Sequence, residues 1–598
     1  MARVDQRASP ALEAWVRALE LTAPIARDAW ATLPARIDQL AEKYGSSAAL
    51  VSDHVSLSFH GLSEQSNRYA RWAIGQGLAA GDVVCLVMHN CPEYMAIWLG
   101  VTHVGAVVSL VNTSLVGDSL AHAINVAAPS HIIAGADLAH AVAAVLPKVQ
   151  RKIQCWAHGS GAHDFHRIDD AIRDVPGGRL GAAEGRRPTI ADPALLIYTS
   201  GTTGLPKAAR VSHRRLVQWS YWFAGMLGTG PSDRMYNCLP MYHSVGGIVA
   251  IGSMLVSGGS TVVRERFSAR RFWDEVVGWD CTLFQYIGEL CRFLVNTPPH
   301  PLEREHRLRL CAGNGLSLGV WQPFQERFRI PRIFEFYAAT EANFSLFNCE
   351  GKPGAIGRIP PFLGHRFPVT LVQFDVDAGA PKRNGEGRCV RCGTNEAGEA
   401  ISQIVGDGSS PASQFDGYTD AAASEAKVLR NVFAAGDAWY RSGDLMRRDA
   451  EGFFYYVDRV GDTFRWKGEN VSTTEVAQQV AACPGVVDVV VYGVTVPGTD
   501  GRAGMAALVV SPDFDLDAFH HSLAGRLPEY ARPVFLRFLT ETEVTGTFKH
   551  TKQNLVRMGY DPSLAASDPI YFGDRTRARY VKLDSGVFGQ IQSGGLRL

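Results

Sequence analysis

Between Val83 and Val111 the sequence reaches its most sustained apolarity, and the form of that stretch limits the fold more than any other feature. DVVCLVMHN (82–90) is a short run with buried-strand character. PEYMAIWLGVTHVG (92–105) carries helical spacing with a small-residue end, and AVVSLVN (106–112) is a second short run. A strand, a helix and a strand in that order predict a parallel βαβ unit. His89, Asn90, Glu93 and His103 break the stretch, so it does not read as a membrane span, which wants roughly 20 mostly apolar residues. The same alternation covers residues 30–150 and returns over 193–350.

Other segments read differently. Residues 157–192 are rich in Gly, His, Asp and Arg and predict a loop-rich surface excursion. Residues 366–456 hold short strand-like runs between Gly and Asp turns, as in RNGEGRCVRC and DAEGFFYYVD, and predict a β-rich subdomain. Beyond 460, VVDVVVYGVTV (486–496) and RAGMAALVVS (502–511) read as strands and DAFHHSLAGRLPEYARP (517–533) as a helix stopped by proline, a small α+β domain.

Charge and cysteine usage narrow the partners. Lys plus Arg and Asp plus Glu are 59 each, so there is no basic surplus and nucleic acid is not an expected partner. The 11 cysteines include one CxxC pair, Cys389 and Cys392, with no second pair and no His cluster, which reads as structural rather than zinc-binding. Reduced thiols fit a cytoplasmic address. MARVDQRASP is not followed by an apolar signal region. ALEAWVRALELTAPIA (11–26) is expected to be an amphipathic helix on the protein's own core. The rival, a helix lying on a membrane, lacks a basic face, since Glu13 and Glu20 offset Arg17. Membrane contact is therefore expected to be at most peripheral, at the inner face.

Chemistry concentrates in Tyr198-Thr199-Ser200-Gly201-Thr202-Thr203-Gly204-Leu205-Pro206-Lys207, which follows the apolar run at 194–197 and so sits at a strand end. Glycines let backbone approach a polyanion, hydroxyls and N–H groups wrap phosphate oxygens, and Lys207 adds positive charge. The spacing is not that of a Walker A loop.

This loop resembles the phosphate loop of the adenylate-forming superfamily, which includes acyl-CoA synthetases, nonribosomal adenylation domains and luciferases. Later segments match in order: FYAATE (336–341) resembles the Y-G-x-T-E motif, YRSGD (440–444) the ribose motif, DRVGD (458–462) the hinge motif, and TFK (547–549) the C-terminal lysine segment. FRWKGENVSTTEV (464–476), TGTFKHTKQNLVRMGYDPS (545–563) and SGGLRL (593–598) are similar to the fatty acid transport protein, or very-long-chain acyl-CoA synthetase, branch. The resemblance implies an α/β fold. Its large N-terminal AMP-binding domain (1–459) holds two α/β subdomains and a β-rich subdomain, followed by a small mobile α+β C-terminal domain (460–598).

The resemblance also implies roles. ATP, Mg²⁺ and coenzyme A are the expected cofactors and co-substrates, with a fatty acid as the acid. Glu341 and Thr199 supply hard oxygen for Mg²⁺. Gly313, Asn314 and Gly315 form the adenine-side loop, Tyr337 stacks on the base (core packing is the alternative), and Thr340 belongs to the same nucleotide site. Asp444 accepts the ribose hydroxyls, and Arg459 contacts phosphate or ribose unless it makes only a surface ion pair. Lys549 neutralises charge developing during adenylation, with Lys552 as a rival. His243, ending LPMYH (239–243), gates the acyl tunnel or is structural. Gly468, with Lys467 beside it, borders the pantetheine channel or is a turn glycine. Ala338 and Ala342 stand where the family has glycine, a strain if either takes positive φ.

The expected activity is that of a long-chain or very-long-chain fatty acid–CoA ligase working through acyl-AMP. Alternatives are a ligase for a bile-acid-like or carnitine-like carboxylate, a membrane-associated uptake protein, an enzyme loading a carrier protein, and a degenerate nucleotide-binding regulator.

Overall fold

The computed structural model describes residues 10–161, 164–185, 187–200, 206–405, 415–499, 501–543, 552–565 and 568–596. They form two compact units: the described residues within 1–316, 320–353 and 405–427 in the first, and those within 317–319, 354–404 and 428–598 in the second.

The first unit holds two α/β sheets. The βαβ unit expected at 82–112 is present as the strand Val83–Val87, the helix Pro92–His103 and the strand Val107–Leu110, the strands parallel. The helix is apolar on nearly every side because both faces are covered: Tyr94, Met95, Ile97, Trp98 and Leu99 are fully buried. Around this pair the sheet runs His166–Arg167, Gln154–His158, His131–Gly135, Val83–Val87, Val107–Leu110, Pro193–Ser200 and Pro206–Ser212. All neighbours are parallel except the last two strands. Part of the segment read as a loop excursion, His166–Arg167, thus adds an edge strand.

The second sheet of this unit is parallel through Ala48–Val51, Ser260–Val263, Arg234–Asn237, Leu283–Ile287, Leu310–Asn314 and Ile333–Ala338, with Ser345–Asn348 antiparallel at one side. The helix Pro10–Thr22 lays Ala11, Ala14, Trp15 and Ala18 on the helix His213–Leu227, the core-facing placement expected for it. Contact is close: a Cβ on Gly225 would fall 2.4 Å from the Cα of Ala18.

The second unit has an antiparallel sheet in the order Ala380–Pro381, Val369–Asp375, Gly398–Gln403, Ala438–Arg448, Phe453–Arg459 and Gly357–Arg358. It also has a five-stranded sheet of Val486–Thr495, Arg502–Val510, Phe535–Phe538, Ile570–Asp574 and Arg579–Lys582. Ser472 opens the helix Thr473–Ala481 by accepting from the Glu475 amide, within an S-x-x-E capping signature. The helix Leu516–Arg526 stops two residues before Pro528. No helix among the described residues is long and apolar enough to cross a membrane.

Candidate active site

In the first unit the phosphate segment is a hairpin. Thr199 lies opposite Lys207 and Ser200 opposite Pro206, so Tyr198–Ser200 and Pro206–Lys207 are strand ends rather than loop. Gly201, Thr202, Thr203 and Gly204 lie outside the described residues. The expectation for Tyr198 needs correcting. Its ring is buried, and its hydroxyl donates to the Ala123 carbonyl (2.6 Å) and lies 2.9 Å from Ser109 Oγ. Alternation along the strand turns this side chain into the core, so only its backbone remains to serve a ligand.

A second segment rides on the strand that leaves the hairpin. The Arg210 amide donates to the Gly417 carbonyl and the Thr419 amide to the Ala208 carbonyl, each at 2.9 Å, and Ala209 pairs antiparallel with Tyr418. Through this segment Tyr418 reaches Glu341: its hydroxyl donates to Glu341 Oε1 at 2.9 Å. Glu341 is 7% exposed and Tyr418 is 5% exposed. Arg215, on the helix His213–Leu227, donates to the Ala342 carbonyl. Thr340 is buried, its Oγ1 3.0 Å from Ser244 Oγ, which ties the motif to the residue after His243. From Val245 to Gly252 the helix beyond His243 has π geometry, a winding often found at functional sites; sequence periodicity does not signal it. Ala338 and Ala342 are not at positive φ, so the strain foreseen for them does not arise.

Gly313, Asn314 and Gly315 close the strand Leu310–Asn314. A Cβ on Gly313 would fall 2.3 Å from the Tyr286 carbonyl oxygen, and Gly315 has φ +79°; both places demand glycine. Behind the loop stands Glu335, a residue the sequence reading passed over although it is the one charge in the apolar strand IFEFYA. It is 2% exposed and accepts from the Leu316 amide (3.0 Å) and the Tyr286 hydroxyl (2.5 Å). Burial pushes its carboxyl up to about 8. Asn314 Oδ1 is buried with no hydrogen-bond partner among the described residues, an orphaned acceptor suited to the amine of a base. Tyr337, half-buried, lies 5.7 Å from the Phe344 ring, centroid to centroid.

In the second unit Asp444 stands directly across from Arg459. Gly443, at φ +77°, accepts from the Val460 amide at 2.8 Å. Asp458, 1% exposed, accepts from the Thr473 amide (2.6 Å) and from the hydroxyls of Thr473 (3.1 Å), Thr463 (3.1 Å) and Thr474 (3.2 Å). Gly461 has φ +93° with open space around it. Lys467 (φ 52°) and Gly468 (φ 85°) are the two-residue turn between Phe464–Trp466 and Glu469–Val471, so the turn reading of Gly468 is correct as geometry. Lys549 lies outside the described residues, whereas Lys552 is committed to Asp462 Oδ2 (3.0 Å) and Thr473 Oγ1 (2.9 Å).

The hard oxygens of Glu341 and Thr199 suit Mg²⁺, which takes one or two protein oxygens and fills its remaining positions from phosphates and water. Comparison with known proteins gives the family. Residues 37–387 match the family described as AMP-binding enzyme, and residues 475–549 match the AMP-binding enzyme C-terminal domain. Long-chain fatty acid transport protein 1 of Mus musculus is 40% identical over 581 residues, covering 96% of this chain and 89% of the mouse protein. Among solved structures, ATP-bound MatB from Rhodopseudomonas palustris shares the fold with a TM-score of 0.74 at 21% identity, over 89% of this chain and 99% of its own. The anthranilate CoA ligase AuaEII in complex with anthranoyl-AMP does so with a TM-score of 0.74 at 20% identity, over 87% and 96%. The chain belongs to the AMP-binding enzyme family, in the branch of the long-chain fatty acid transport proteins.

Proposed function

We propose that the protein joins a long-chain or very-long-chain fatty acid to coenzyme A through an acyl-AMP intermediate. One observation carries the reading: Glu341 is buried in the turn after the strand Ile333–Ala338, bonded by the neutral hydroxyl of Tyr418, whose segment pairs with the strand that leaves the phosphate hairpin. A carboxylate so far from water is costly unless a cation answers it, and a metal-bound polyphosphate supplies one.

Each residue then has a task. Thr199, Lys207 and the glycine-rich segment between them hold phosphates, Tyr337 and the 313–315 loop hold the base, and Asp444 takes the ribose with Arg459 opposite. Glu341 and Thr199 would hold Mg²⁺, which would neutralise phosphate charge and polarise the α-phosphoryl group. The fatty carboxylate attacks the α-phosphorus, the bond to the β-phosphate oxygen breaks, and Lys549 stabilises the developing charge. Residues 460–598 then turn about Gly461, removing Lys549 and bringing in the Lys467–Gly468 turn. The CoA thiol, giving up its proton, attacks the acyl carbonyl and AMP leaves with the bonding electrons. Such a turn exchanges catalytic groups while excluding water. His243 opens the acyl tunnel. The protein works at the cytoplasmic face of a membrane, where long-chain acids are dissolved, by peripheral contact.

Product analysis with ATP, Mg²⁺ and palmitate is the test. Palmitoyl-CoA and AMP are expected only when CoA is present, and acyl-AMP and pyrophosphate with or without it. Absence of both acyl-AMP and acyl-CoA across a panel of acids, bulky ring carboxylates included, overturns the reading; activity confined to the bulky acids shifts it to that substrate class.

A further inference from the structure

We propose that Tyr418 is a positioning residue that fixes Glu341 for metal and couples it to the phosphate hairpin; the inference rests on the role given to Glu341 above. Glu341 lies in the turn after the strand Ile333–Ala338, where the Ala342 amide bonds the Ala339 carbonyl at 3.0 Å. No strand pairing fixes its side chain, and a glutamate with free torsions loses rotamer entropy when it grips an ion. The Tyr418 hydroxyl removes much of that freedom in advance by occupying Oε1 at 2.9 Å and directing Oε2 to the metal.

Tyr418 is itself held at both ends. Its amide donates to Ser424 Oγ at 2.8 Å, and Gly417, at φ +71°, turns its carbonyl to the Arg210 amide. Its ring packs with Ala209 and Ala423. Thr419 is bonded to Ala208, the residue after Lys207. A shift of the hairpin strand therefore moves the tyrosine, and with it the carboxylate. The choice of side chain follows from charge. A lysine or arginine donor in this place would cancel the charge that draws in the metal, whereas a phenol hydroxyl gives direction and leaves the charge intact.

The test is Mn²⁺ affinity, read by electron paramagnetic resonance on protein saturated with a non-hydrolysable ATP analogue, for wild type, Tyr418→Phe, Glu341→Gln and the double variant. Tyr418→Phe keeps the ring and should melt within about 3 °C of wild type. It should bind Mn²⁺ about tenfold more weakly, the scale of one hydrogen bond to a charged group, with metal-free analogue affinity unchanged. In the double variant the tyrosine change should have no further effect. Glu341→Gln binding Mn²⁺ like wild type overturns the reading of Glu341 and the inference with it. Glu341→Gln weakened while Tyr418→Phe is not, or equal Tyr418→Phe effects in both backgrounds, overturns the inference alone. Should Tyr418→Phe melt low, Ser424→Ala, which removes the acceptor of the Tyr418 amide together with a bond to the Asp420 carbonyl and leaves the phenol in place, is read by the same criterion: unchanged Mn²⁺ affinity overturns the inference.

Discussion

Gly288→Ala sets two local effects against each other, and the structure decides the sign. Gly288 is the first residue of the helix Gly288–Val295, where alanine is intrinsically better than glycine by up to about 1 kcal/mol. Yet the added Cβ would stand 1.9 Å from the Gly315 carbonyl oxygen, 2.5 Å from its carbonyl carbon and 2.9 Å from the Leu316 amide nitrogen. All three atoms are backbone, so no side chain can swing aside. To restore 3.0 Å the 313–316 loop must retreat by at least 1.1 Å, against the 3.0 Å bond that holds Leu316 to Glu335. Overpacking of this kind costs about 1–3 kcal/mol, and a displacement near 1 Å at a binding loop costs about 100-fold in rate. The expected outcome is a rise of roughly 10- to 100-fold in KM for ATP, measured by acid-dependent pyrophosphate exchange. KM for the fatty acid should be unchanged and the melting temperature lower by roughly 2–6 °C. Gly278→Ala, with nothing within 4 Å of its added Cβ, is the control and should leave both unchanged. Wild-type ATP kinetics and melting in Gly288→Ala would refute the argument that this loop is the adenine side of the site.

Lys549→Ala should lower acyl-AMP formation by at least about 100-fold while conversion of supplied acyl-AMP to acyl-CoA persists; equal loss of both half-reactions contradicts the proposed exchange of catalytic groups. Glu335 predicts a pH slope. Its carboxyl, near 4.5 in the unfolded chain, is raised to about 8 in the fold, so the folded state holds the extra proton between those values. Its contribution is complete below pH 4.5 and is lost as pH rises through 8. Urea unfolding of Glu335→Gln at pH 5.5, 7 and 8.5 should show a flatter dependence than wild type; an equal slope would exclude Glu335 as its source.

The parts of the fold that rest on local pattern were legible. The parallel unit at 82–112 follows from short apolar runs around a helical one, and the strands read at 486–496 and 502–511 are present as Val486–Thr495 and Arg502–Val510. Less visible was anything that depends on which way a strand residue faces. Tyr198 belongs to the phosphate motif in sequence, yet its side chain points to Ala123 and Ser109. Glu335 and Tyr418 carry no local signature of function; their meaning comes from partners 19 and 77 residues away. The motif order told which segments matter, and long-range hydrogen bonds told which neighbours hold them.

Asp458 changes how the proposed rotation about Gly461 should be pictured. Its donors Thr463, Thr473 and Thr474 all lie on the far side of Gly461 in the chain. The glycine offers torsional freedom, but the aspartate clamps the two sides of the pivot to each other. Turning requires that four hydrogen bonds to a carboxyl sheltered from water break nearly together, so the step is a barrier crossing rather than a drift. On the proposed mechanism, conversion between conformers would then be rare and abrupt, its tempo set by the carboxylate of Asp458 rather than by the groups assigned to nucleotide or acid.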